Sequence, residues 1–177
     1  MDNKKDGRFC AAILSELPEI IEIYNSARLF MAEQGNPDQW NGGYPSRHLL
    51  KQDIAEKQLF LYKSCDKILA VFRFTLGDDP TYRVIYDGSW LNELPYGVIH
   101  RIAVAEHGRG VGRACIEWCL DRCHNIRIDT SSENRPMQRL LRSMGFAECG
   151  TIYIETGEPR IAFQITDFGV NNENTGI

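Results

Sequence analysis

Residues 97–119, GVIHRIAVAEHGRGVGRACIEWC, constrain the fold of this chain more than any other stretch. An apolar run at 98–105 leads into a loop with glycine at alternate positions, Gly108, Gly110 and Gly112, and an amphipathic pattern follows. A strand, a glycine loop and a helix start together make an anion site. The first amides of a helix have no partner within it, the helix dipole is positive there, and glycine lets the backbone approach a bulky group. The expected anion is a phosphate.

The rest of the composition sets limits around that loop. A chain of 177 residues fits one domain, expected to span 1–177 with a core at about 8–166 and an unpacked, polar tail at 171–177. Its formal net charge of −4 argues against a nucleic-acid partner, which would ask for a basic surface. No apolar run is long enough to span a bilayer, and residues 1–8 are polar with no apolar segment behind them, so no membrane partner and a cytoplasmic location are expected. The six cysteines then read as reduced thiols. Cys115, Cys119 and Cys123 recur every four residues, with His124 next, which fits either a metal stripe or a packed helix face. No CxxC pair accompanies them, so no metal is expected.

Along the chain, 8–13 reads as a first strand, and Ser15 as the N-cap of a helix with Pro18 in its first turn, ending at Gly35. Residues 36–44, NPDQWNGGY, form a loop whose Trp40 and Tyr44 are either a lid on a pocket or plugs for the core. Ser46 caps a second helix to about 56. Strands follow at 59–63 and 68–76, joined by a hairpin turn at 64–67, and strand pattern returns at 81–90. After the central strand at 98–105 come a helix at 110–122, a strand at 126–129, a helix at 135–144 stopped by Gly145, and a last hairpin at 146–155 and 160–165. Simple alternation on the central strand places Val98, His100, Ile102 and Val104 on one side and Ile99, Arg101 and Ala103 on the other.

This order of elements resembles the GNAT family of N-acetyltransferases, and two motifs agree with it. His107-Gly108-Arg109-Gly110-Val111-Gly112 is similar to the family's acyl-CoA signature, with His107 replacing the usual first residue. The segment 126–146, IRIDTSSENRPMQRLLRSMGF, is similar to its second motif of strand, asparagine, helix and Gly-Phe. The HRIAV, RIDT and QGNPDQWNGGYPS segments also look like those of a bacterial subgroup. The resemblance implies an α+β fold in three layers (α/β/α), with a mixed, mostly antiparallel sheet of about seven strands whose fourth and fifth strands splay apart.

It further implies acetyl-CoA as acyl donor, with pyrophosphate on the backbone of Gly108, Arg109, Gly110, Val111, Gly112 and Arg113. Arg109 and Arg113 would either meet phosphates or be solvated. Asn134 would contact the cofactor, cap a helix, or both, and amides near Ile102, Ala103 and Val104 would face the thioester carbonyl. His100 reads as either a general base or a hydrogen-bonded structural residue. Asp129 stands where ribosomal-protein acetyltransferases of the family carry a glutamate base, and it alternatively pairs Arg101 or Arg127. Leu141 occupies the position of the family's usual tyrosine acid, so Tyr153, Tyr86 or water would substitute. Trp40, Tyr44 and Tyr86 are the expected acceptor-side residues. The expected reaction is acyl transfer to a small-molecule or peptide amine, with homodimerisation left open. The alternative is an acyl-CoA-binding module without turnover. A dinucleotide site is disfavoured, because Arg113 stands at the third glycine of GxGxxG.

Overall fold

A computed structural model describes residues 7–166; the tail expected at 171–177 lies outside them. The elements run β1 (Arg8–Ala11), α1 (Leu17–Glu33), α2 (Arg47–Ala55), β2 (Leu59–Ser64), β3 (Lys67–Leu76), β4 (Gly97–Val104), α3 (Val111–Leu120), β5 (Asn125–Thr130), α4 (Arg135–Ser143), β6 (Ala147–Tyr153) and β7 (Pro159–Thr166). The seven strands form one open sheet in the order β1-β2-β3-β4-β5-β7-β6. Every neighbouring pair is antiparallel except β4 and β5, which are parallel.

The sheet separates two layers of helices because its strands alternate. On β3, Val71 joins Leu17, Ile20 and Tyr24 of α1, while Ala70 and Phe72 join Cys115, Ile116 and Cys119 of α3 and Leu141 of α4. Cys115 and Cys119 are therefore packed face, and burial pushes the Cys115 thiol up to about 12. Among the described residues, no group of His, Cys, Asp or Glu is placed to hold a metal ion, and no helix is long and apolar enough to cross a membrane.

Local chemistry sets the boundaries of the elements. Ser46 caps α2 by accepting from Leu49 N–H at 3.1 Å, and Asn134 caps α4 by accepting from Met137 N–H at 3.2 Å. Ser15 does not cap α1. It lies in a 3₁₀ turn, Leu14–Glu16, and the Glu16 carboxylate closes that turn by accepting from Ile13 N–H at 2.9 Å while it pairs Lys63.

Two expectations about strands are corrected. Residues 81–90 form no strand: a 3₁₀ turn, Pro80–Tyr82, is followed by coil, with a single antiparallel bridge from Tyr86 to Thr151. The apolar side chains of that segment plug one end of the sheet, Tyr82, Ile85 and Trp90 packing with Val98, Ile152 and Ala162. On β4, alternation is broken by a bulge. Its register against β3 moves three residues, from His100 to Ala103, while β3 moves two, from Arg73 to Val71. Arg101 takes up the extra residue with φ +53°. Ile102 therefore packs with Ile99 and Val104 on the α3 face, whereas Ala103 joins the α1 core.

Candidate active site

The glycine loop after β4 is an open cradle. Gly108 and Gly110 have φ of +80° and +70°, and a Cβ added to either would meet nothing within 4 Å. Gly110 is the residue from which α3 springs, and Ala114 N–H donates to its carbonyl at 3.1 Å. The amides of Val111, Gly112 and Arg113 precede that first helical bond and are the free donors of the helix start. Gly112 lets α3 lie close to its neighbours, a Cβ there falling 3.4 Å from Leu140 and 3.9 Å from Val104. His107 stacks on Phe30 of α1 with ring centroids 3.5 Å apart, and burial lowers its pKa. Arg109 pairs the exposed Glu106 at 2.9 Å, whereas Arg113 reaches across to donate to Ser143 Oγ of α4 at 2.7 Å.

From this cradle a cleft runs down between β4 and β5. The two strands pair only at Gly97 with Ile126 and Val98 with Arg127, and beyond those residues they part. The resulting cavity has a volume of about 770 Å³; β4 residues Ile99–Val104 line one wall, β5 residues Ile128–Thr130 the other, and the glycine loop one end. Ala105 N–H is spent on Leu69 O of β3 at 2.9 Å. Amides alternate along a strand, so those of Val104 and Ile102 lie on the open edge and that of Ala103 on the β3 side.

His100 sits in the cleft wall between two carboxylates. Its Nε2 lies 2.8 Å from Asp79 Oδ2, and since a carboxylate can only accept, the ring donates there and leaves Nδ1 as the acceptor nitrogen. Nδ1 in turn lies 3.9 Å from Asp129 Oδ1, which accepts from Tyr82 Oη–H at 2.7 Å. Asp79 and Tyr82 both come from the 3₁₀ turn that replaces the expected strand, with Asp79 Oδ1 capping it on Thr81 N–H at 2.9 Å. Burial works to raise the Asp79 carboxyl, but the hydrogen bond and charge of His100 and the Thr81 donors outweigh it and hold it well below the usual carboxylate range. Burial, then the neighbouring Asp129, push the Tyr82 hydroxyl well up, so it stays a donor.

The two arginines considered as partners of Asp129 are engaged elsewhere. Arg101 binds Asp53 at 2.5 Å, and Arg127 lies over the rings of Trp90 and Tyr96, 4.3 and 3.9 Å from their centroids, donating to Asn92 O at 2.7 Å.

The sequence profile of the Acetyltransferase (GNAT) family matches residues 17–146, which include the cradle, the splayed strands and α4. The chain belongs to the GNAT acetyltransferase family. Solved structures repeat its fold. A GNAT-family acetyltransferase from Streptococcus agalactiae is 26% identical with a TM-score of 0.84, the match covering 92% of this chain and 96% of that one. A ribosomal-protein-alanine N-acetyltransferase from Brucella melitensis is 17% identical with a TM-score of 0.62, over 90% and 99% of the two chains. The protein yncA from Salmonella typhimurium, solved with its cofactor acetyl-CoA, is 17% identical with a TM-score of 0.61, over 92% and 94%. No curated protein matches the sequence.

GNAT acetyltransferases use acetyl-CoA, and the donors here fit it: an open glycine cradle at a helix start for a pyrophosphate, and free strand amides for a carbonyl. Asn134 caps α4 and also donates to Gln39 Oε1 at 2.9 Å, joining the 36–44 loop to the far side of the cleft. In that loop Trp40 is a core residue that also borders the cavity, and the exposed Tyr44 lines it, so the loop supplies one plug and one wall. Leu141 is fully buried under α4, and Leu140 faces the cleft instead. Tyr86 and Tyr153 pair edge to face with each other, ring centroids 5.2 Å apart, and Ile154–Thr156, which follow Tyr153, line the cavity. Asp79 and Tyr82 were not singled out from the sequence; the Asp-Pro pair opening their turn was the available signal.

Proposed function

We propose that the protein transfers an acetyl or other short acyl group from acyl-CoA to a primary amine by direct attack in a ternary complex. The observation that carries this reading is the open β4–β5 seam, with an anion cradle at one end and His100 facing Asp129 in its wall. Bound acetyl-CoA supplies the acyl group as an activated thioester. The amides of residues 108–113 would hold its pyrophosphate, and the free Val104 N–H would donate to the thioester oxygen as negative charge develops there.

The 3.9 Å between His100 Nδ1 and Asp129 Oδ1 leaves room for one donor to hydrogen-bond both. An ammonium acceptor therefore docks there; Asp129 holds it, and His100 Nδ1 takes its proton. Asp79 on Nε2 then faces a positively charged ring, and Tyr82 keeps Asp129 in place. With Leu141 in the core, the position of the family's tyrosine supplies no acid; as the amine nitrogen bonds the thioester carbon and the C–S bond breaks, water carries the nitrogen's second proton to the departing thiolate. Positioning is the larger effect: acid or base assistance gives roughly 10²–10⁴-fold, whereas holding two reactants together gives effective molarities of about 10⁵ M or more.

The test is free thiol release from acetyl-CoA with a panel of primary amines. Release that depends on the acceptor is expected. Tight CoA binding with no acceptor-dependent thiol would contradict transfer and favour the binding module, the reading that the buried Leu141 supports.

A further inference from the structure

The acceptor half of the cleft carries a charge that the protein does not neutralise. Arg73 and Arg101 both line the cavity and share one carboxylate: Asp53 Oδ2 lies 2.5 Å from Arg101 Nη2, and Asp53 Oδ1 lies 3.3 Å from Arg73 Nε. The other partners of the two guanidinium groups are neutral. Arg73 donates twice to Gln58 Oε1, at 3.0 and 2.6 Å, and Arg101 Nη1 donates to the Tyr44 hydroxyl at 3.2 Å. Among the described residues, Arg101 Nε is buried with no acceptor, on a side chain only 8% exposed. Two cations against one anion leave a net positive charge in a half-buried wall, where an unmatched guanidinium is costly and a second carboxylate would be bound well.

This positive pole adjoins the proton-accepting pole. Arg73 is the cross-strand partner of His100, Arg101 follows His100, and the bulge at Arg101 sends its side chain to α2 rather than to the α3 face. The carboxylates beside His100 form a second pole, of opposite sign. Asp79 and Asp129 accept from the neutral His100 and Tyr82 and so keep their charge for an ammonium group, while Arg160, also lining the cavity, is paired with Glu158 at 2.8 Å.

We infer that the acceptor is an amine that also bears a carboxylate close by, of the amino-acid type. Its carboxylate meets Arg101 and Arg73 while its amine meets His100 and Asp129. The inference rests on the transfer reading above for the amine, but the carboxylate site is tested separately. The amine of a long peptide has no carboxylate within reach of this pair, so peptides are disfavoured as acceptors.

The experiment compares free amino acids with their neutral carboxamides, across all side-chain types, in thiol release from acetyl-CoA and in calorimetric binding to the CoA-loaded protein. The acids are expected to be better by roughly tenfold to a hundredfold in kcat/KM and in Kd, the worth of one charge-assisted hydrogen-bonded pair. Arg101→Gln and, separately, Arg73→Gln should erase that preference while acetyl-CoA affinity, which reports an intact fold, stays unchanged. If either variant fails to fold, the acid-to-amide ratio of the wild type decides alone. Equal use and equal binding of acids and carboxamides would overturn the carboxylate site and leave the transfer reading standing. Selective binding of acids without any thiol release would support the carboxylate site and overturn transfer.

Discussion

His100 has an acceptor nitrogen because Asp79 consumes the donor one, and that acceptor faces Asp129 across 3.9 Å. Replacing it with glutamine keeps a polar side chain but removes the proton acceptor. His100→Gln should lower kcat by roughly 10²–10⁴-fold, the worth of a general base. Steady-state kinetics checks this, with the KM for acetyl-CoA unchanged as the internal control. Asp79 supports a second prediction, on stability. Its folded pKa lies below its usual value of 3.8, so its contribution is fully present above that value and is lost as pH falls toward the folded one. Thermal unfolding of the wild type should therefore lose more Tm between about pH 5 and pH 2 than Asp79→Asn does. Parallel curves would remove the link between Asp79 and His100. None of this pairing was legible beforehand. Asp79 reaches His100 across 21 residues of chain, through a turn whose aromatic spacing imitates a strand.

The elements divide by how local their signals are. The glycine loop, α3 and α4 are readable because the information is contained in a few consecutive residues: glycines where the backbone turns left-handed, asparagine at a cap, glycine at a stop. The β4 bulge is not, since a period of two carries no mark of one extra residue, and Arg101 is not a residue type that advertises a positive φ. The pairing of the Tyr86 and Tyr153 rings is equally silent in the sequence, since it joins residues far apart in the chain. Helix α4 offers a direct test of the missing tyrosine. Leu141 is fully buried beside Phe146 and Phe163, so Leu141→Tyr should overpack the core, lowering stability by about 1–3 kcal/mol in urea unfolding without raising kcat. A gain in kcat would show that a hydroxyl at this position reaches the reacting atoms after all. Asn134→Ala should cost about 1 kcal/mol through its lost cap, and Asn134→Asp should keep most of it, by the same measurement.

At the scale of the molecule, the sheet brings the pieces together by failing to close. Helices on both faces hold β4 and β5 side by side at Gly97 and Val98, and the strands then part, so a cleft and its free amides arise where the topology changes from antiparallel to parallel. The glycine loop must sit at one end of that cleft because it follows β4 directly, and His100 must line the wall because it precedes the bulge. Acyl transfer here requires acyl-CoA to occupy this seam. Calorimetric titration of acetyl-CoA into the wild type and Gly110→Glu measures it directly, with Gly110→Asn as the control for a side chain tolerated in the left-handed region. Saturable binding by the wild type, lost by roughly a hundredfold or more in Gly110→Glu with its fold retained, is the expected result, because a carboxylate would stand among the amides meant for phosphate. Unchanged affinity in a folded Gly110→Glu protein would place the cofactor elsewhere and contradict the site.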